Sequence, residues 1–206
     1  MKKIFLAATA MMMLYSADAQ NLNSPQPSPT VNVKQNFGLG SIELSYSRPG
    51  VKGRKIMGDL VPFNKVWRTG ANAATTISFS DDVTIGGKAV KAGKYGLLTI
   101  PGEKKWTIII SKDVNINQPA NYKEENDVAR VEADVVTVPF SIENFTIDIN
   151  DITSSSCNVQ LLWESTFVQF AVTTGTDAKM MAEIDKVMNK DNKPYYAAAS
   201  YYYDND

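Results

Sequence analysis

Histidine is absent from all 206 residues. Without an imidazole there is no Ser-His-Asp or Cys-His nucleophile pair, no imidazole acid or base, and none of the usual zinc ligand sets. Cysteine occurs once, as Cys157, so an internal disulfide is excluded. It lies in the run Cys157-Asn158-Val159-Gln160-Leu161-Leu162-Trp163, on the same side as Val159, Leu161 and Trp163. No basic neighbour is present to stabilise a thiolate, and the residue reads as a buried structural thiol. Neither charge sign is in excess: 21 basic residues face 22 acidic ones, a net charge of −1. A dedicated nucleic-acid binder would carry a basic surplus, so no nucleic-acid partner is expected. A glycine-rich phosphate loop opening a helix is also missing. Apolar runs long enough to span a bilayer do not occur; Ile4–Leu14 is about half the required length, so no transmembrane anchor is expected.

What that short run does supply is an export signal. Lys2 and Lys3 precede it, and Ala17-Asp18-Ala19 follows it with small residues at the two positions a signal peptidase reads. Cleavage is expected before Gln20, giving a periplasmic or secreted protein. Four parts are then expected: residues 1–19 as signal peptide, 20–30 as an extended leader rich in proline (Pro25, Pro27, Pro29), 31–175 as a β domain, and 176–206 as a helical segment.

The β domain is read from period-two alternation. Val31, Val33 and Phe37 alternate with polar residues, as do Ile42, Leu44 and Tyr46, then Thr75, Ile77 and Phe79. Gly86-Gly87 between Val83–Ile85 and Lys88–Val90 predicts a two-residue hairpin, since such turns need positive φ. Tyr95–Ile100 and Trp106–Ile110 are apolar on both faces and read as central strands. Ser111–Asn126 reads as a long surface loop. Ala129, Val131, Ala133 and Val135 alternate, then Val136 and Val138 switch parity, which predicts a bulge. Phe145–Ile149, Cys157–Trp163 and Val168–Val172 read as three further strands. Nine to eleven short strands without a long intervening helix predict a mainly β fold, an antiparallel sandwich of jelly-roll type. Near Thr176 the period changes: Met180, Met181, Ile184, Val187 and Met188 share one helical face, with Thr176 as cap. A second helix is expected over Tyr195–Tyr203, opened by Pro194. Its five tyrosines need something to pack on: the sheet, the first helix or a partner.

Chemistry concentrates between Arg48 and Arg68. Six basic residues (Arg48, Lys52, Arg54, Lys55, Lys65 and Arg68) stand there against the single acid Asp59, among the turn formers Pro49-Gly50, Gly53, Gly58 and Pro62. Trp67-Arg68-Thr69-Gly70-Ala71-Asn72 follows. An indole can offer a stacking face while guanidinium and amide groups fix orientation. Arg48, Lys52, Arg54, Trp67, Arg68, Asn72 and Tyr95 are therefore the candidate ligand-binding residues. The structural alternative is that Trp67 covers one end of the core while Arg68 and Asn72 bond loop carbonyls.

Several of these runs also carry a resemblance. Ser47-Arg48-Pro49, Lys52-Gly53-Arg54, Val66–Asn72, Ala92–Leu97 and Asp127-Val128-Ala129-Arg130 resemble signatures of a secreted Bacteroidetes family defined only as a domain of unknown function (DUF 2911). The resemblance spans about residues 23 to 175 and implies an exported, β-rich domain. It implies no activity, substrate or catalytic residue. It also implies that the C-terminal segment resembles the start of a tetratricopeptide-like helical extension.

Enzymatic readings find little support in the sequence. Asp81 and Asp82 are adjacent on a strand and point to opposite faces. Glu124-Glu125 falls in the polar loop, and Asp148 and Asp151 flank a turn. Asn115, Asn117, Asn121 and Asp127 offer oxygens without the hinged spacing of a calcium loop. No catalytic residue, cofactor or metal is therefore expected. The expectation is an exported, non-enzymatic binding domain whose partner is a glycan or an anionic small molecule. Its rivals are an interaction module that captures an envelope protein or self-associates through the Met- and Tyr-rich helices, and a hydrolase whose carboxylate site is assembled by folding.

Overall fold

The computed structural model describes residues 24–190 and 193–205; the expected signal peptide, its cleavage site and the leader before Ser24 lie outside them. Ten strands and two helices follow in order: β1 Thr30–Phe37, β2 Gly40–Ser47, β3 Thr76–Phe79, β4 Val83–Ile85, β5 Lys88–Val90, β6 Gly93–Ile100, β7 Lys105–Ser111, β8 Asp127–Asp134, β9 Val136–Asn150, β10 Ser156–Thr174, α1 Thr176–Met188 and α2 Tyr195–Asn205. The strands form two antiparallel sheets, β1-β2-β3-β6-β7-β8 and β5-β4-β10-β9.

Alternation explains why these segments pair as they do. On β2, Ile42, Leu44 and Tyr46 are buried while Glu43 is exposed. On β10, Cys157, Val159, Leu161 and Trp163 are buried at every second position. The two inward sets meet in one apolar cluster that draws on both sheets, which makes the fold a mainly β antiparallel sandwich with a short helical appendage. β6 and β7 are buried on both faces. Leu97 and Ile110 face the main core, while Leu98 and Ile109 face outward and are covered by Ile116, Val66 and Tyr122 from loops. The loop Lys112–Asn126, with two 3-10 turns, thus lies over the outside of the larger sheet.

Three local expectations need correction. The parity switch at Val136 is not a bulge within one strand. β8 ends at Asp134 in the larger sheet and β9 begins at Val136 in the smaller, so the chain changes layer there and the buried side changes with it. The segments Cys157–Trp163 and Val168–Val172 are one 19-residue strand, β10. It runs through register shifts on both sides of Glu164, whose φ is +54°, and these absorb the polar interruption without ending the strand. Thr176 is the first helical residue of α1, following the N-cap Gly175, and its buried hydroxyl has no partner; it does not cap the helix. Of the five tyrosines, Tyr201 is half-buried with its hydroxyl donating to Asp177 Oδ1 of α1 at 2.7 Å, while Tyr196 is 87% and Tyr203 88% exposed.

Candidate functional site

The basic segment lies between β2 and β3, and it pairs with both sheets. At its start, Phe145 N donates to Pro49 O at 2.9 Å and Val51 N to Glu143 O at 2.8 Å, so residues 49–51 run along β9. Further on, Trp67 N donates to Thr99 O at 2.7 Å and Thr99 N to Trp67 O at 3.0 Å, which lays Trp67 beside β6. One excursion therefore closes the end of the sandwich from layer to layer. Tight backbone turns make the return: Thr69 has φ +57° and Gly70 φ +154°. Gly70 also sits so close to Ser47 O and Thr75 Oγ1 that a Cβ there would crowd both.

Trp67 is half-buried in this closure and forms the hub of an aromatic group. Its ring stacks on Trp163 with centroids 5.8 Å apart and planes 16° apart, meets Phe145 edge-on at 5.0 Å and Trp106 edge-on at 6.1 Å. Its Nε1 donates to Gly70 O at 3.1 Å, and Trp163 Nε1 donates to Glu143 O at 3.3 Å. Both indole N–H groups are thus occupied; the Trp67 ring keeps part of its apolar surface open, while Trp163 is 2% exposed behind it.

Beside these rings lies a cavity of about 380 Å³, at the small end of the range for organic-ligand sites. Trp67 and Trp163 line it together with Pro49, Leu60, Pro62 and Pro119, and its cations are Arg54, Lys65 and Arg68. No acidic residue lines it. Among the described residues, none of the six basic side chains of the 48–68 segment makes an ion pair. The positive charge at the cavity is therefore not neutralised by the fold.

The candidate residues divide. Arg54, Trp67 and Arg68 come together in the cavity wall. Arg54 is braced by Nε to Val51 O at 3.1 Å and Nη2 to Gly50 O at 2.6 Å. Arg68 reaches across to the outer loop, Nη1 donating to Asn117 O at 2.6 Å, and its buried Nε has no acceptor. The other four do not line the cavity. Arg48 is tied to β9 through Phe145 O at 3.0 Å and Thr146 Oγ1 at 2.7 Å. Lys52 sits on the exposed turn, its backbone N donating to Glu143 Oε1 at 2.9 Å. Asn72 Nδ2 donates to Ser28 O at 3.0 Å and so holds a wall residue rather than forming the wall. Tyr95 packs near Phe79, and its hydroxyl donates to Lys91 O at 2.9 Å. Trp67 covers the core while Arg68 and Asn72 bond loop carbonyls, as the structural alternative expects, and Trp67 also lines the cavity.

Lys65, Trp163 and Pro119 join the site although sequence reasoning left them out. Lys65 belongs to the same basic segment and could have been included on that ground. Trp163 carries the alternation of a core strand, and Pro119 lies far along the chain in a polar loop. Neither has a local signal; only the return of three separate segments to one end brings them together.

The acidic residues Asp81, Asp82, Glu124, Glu125, Asp148 and Asp151 lie elsewhere. Asp81 pairs with Lys179 at 3.2 Å and Asp82 with Lys91 at 2.8 Å. Glu124 pairs with Arg130, and Glu125 lies 4.0 Å from Lys123. Asp148 Oδ2 and Asp151 Oδ2 accept from Asn150 and Asn158 respectively.

Residues 28–172 match the family described as Protein of unknown function (DUF2911). The chain belongs to this family. The matched DUF2911 region opens at the wall residue Ser28 and contains the whole cavity lining, while α1 and α2 fall beyond it. No curated protein and no solved structure matches the chain.

Proposed function

We propose that this DUF2911 domain is a binding protein for an anionic small molecule, exported to the periplasm or beyond, with its ligand seated in the Trp67 cavity. One observation carries the reading: three cations without carboxylate partners surround a cavity walled by the half-buried Trp67 indole and by Pro49, Pro62 and Pro119. Charge-assisted hydrogen bonds from the guanidinium groups would hold the anion, and the Trp67 indole would receive its body. No group in the wall is arranged as a nucleophile with a base, so the reading is of binding without turnover.

Calorimetric titration with organic acids, acidic sugars and neutral sugars tests this. Acidic ligands are expected to bind, more weakly as salt is raised, because Lys65 is exposed and its charge is screened. Arg68→Ala and Trp67→Ala are each expected to weaken binding at least tenfold. Equal binding of neutral sugars, or unchanged affinity in both variants, would refute the proposal.

A second reading has its own observation. Tyr196 and Tyr203 stand two turns apart on α2, almost fully exposed, with Ala199 and Ser200 between them. Such a face suits capture of a partner protein or self-association. Sedimentation of the full chain against a Tyr196→Ser, Tyr203→Ser variant separates the two, since only the interaction reading expects a change of mass.

A further inference from the structure

The wall of the cavity narrows the class of anion. Nine of its thirteen lining residues are apolar, three are cations, and one, Ser28, carries a neutral hydroxyl. Arginine and lysine side chains donate hydrogen bonds and accept none. The two indole N–H groups are already bonded to backbone carbonyls. Side-chain acceptors in the wall thus reduce to Ser28. A sugar acid carries several hydroxyl protons that need acceptors, and against proline, leucine and valine it finds no side-chain acceptor beyond Ser28, only what backbone carbonyls offer. A ligand whose polar atoms are all acceptors, gathered at one end, meets no such penalty.

We infer that the site takes amphiphilic acids, one carboxylate or similar oxyanion on a flat apolar body, in preference to acidic sugars. This rests on the anion-binding reading above. The head group sits among the cations Arg54, Lys65 and Arg68. The body lies against Trp67 and the prolines, with the buried Trp163 ring stacked behind Trp67. At about 380 Å³ the cavity has room for about a dozen water-sized groups, enough for one or two fused rings and not for an extended polymer.

The test uses four probes on the intact mature protein: 2-naphthoate, the neutral 2-naphthamide, glucuronate and inorganic phosphate, each titrated calorimetrically. The inference expects 2-naphthoate to bind at least tenfold more tightly than each of the other three. Lys65→Gln, an exposed side chain with no fold contact to lose, is expected to weaken 2-naphthoate about threefold to tenfold; Arg68→Gln is expected to weaken it more, with folding checked by its melting curve. Glucuronate or phosphate binding as well as 2-naphthoate would overturn the inference and leave the anion reading standing. Equal binding of naphthoate and naphthamide would show an uncharged apolar site and overturn both. Binding by none of the probes would also overturn both.

Discussion

At the scale of single residues, Trp67 carries the most. Its ring touches three others that come from β7, β9 and β10, so it joins the two layers as well as lining the cavity. Trp67→Ala is expected to lower unfolding free energy by on the order of 3 kcal/mol in urea denaturation, and Trp67→Phe by much less, because truncation leaves a void that the surrounding rings cannot fill. Cys157 is a second informative residue. It is 1% exposed, and burial pushes its thiol up to about 11. At pH 8 only about one part in a thousand is thiolate, so Ellman's reagent is expected to react with the unfolded chain and not the native one. The raised value has a definite sign for stability. The folded state holds the proton more tightly than an unfolded thiol near 8.5, so its contribution is complete below that pH and is lost as pH rises towards about 11. The stability difference between the parent and Cys157→Ala should therefore shrink between pH 8 and pH 10; a constant difference would contradict the shift.

Among the elements, the β4–β5 hairpin shows a turn fully legible in the sequence. Ile85 pairs with Lys88, and the two glycines between them have φ +55° and +76°, the geometry that the pair Gly86-Gly87 predicts. The two are not equivalent. A Cβ on Gly86 would run into Val131, while one on Gly87 meets open space. Gly86→Ala is expected to cost clearly more than Gly87→Ala, whose cost is about 1 kcal/mol from positive φ alone; comparing urea midpoints of the two checks this. Alternation located strands such as β2 and β10 well because each has one buried face, and β6 and β7, buried on both, showed as continuous apolar runs. It failed where the meaning of alternation changes: at Val136 the chain changes sheet, and at Glu164 the strand twists through without stopping. Both events are tertiary, and a window of side-chain polarity cannot distinguish them from a bulge or a strand end. The site followed the same rule. Arg54, Trp67 and Arg68 were legible because one short segment holds them. Trp163 was hidden by looking like core, which it also is, and Tyr95 was drawn in by proximity to a hairpin that places it elsewhere.

For the molecule as a whole, the helices stand apart from the β core. Neither buried apolar cluster includes a residue of α1 or α2. Their ties to the sandwich include the Lys179–Asp81 pair at 3.2 Å and the packing of Thr176 against Gly38. A chain ending at Gly175 is therefore expected to fold cooperatively, with its melting temperature lowered by about 4 °C or less, the equivalent of about 1 kcal/mol at this size. Loss of cooperative melting would show that the helices belong to the core. The same truncation should leave anion binding unchanged, since no cavity residue comes from beyond Trp163.

Stacked sheets held only by greasy side chains can slip across one another, because dispersion contacts have little directional preference. Here the 48–75 excursion is hydrogen-bonded to β9 at one end and to β6 at the other, so slippage at that end must rupture backbone bonds. The molecule is consequently stiff in shear at the mouth of its cavity, and a guest lodged there would feel walls that hold their spacing.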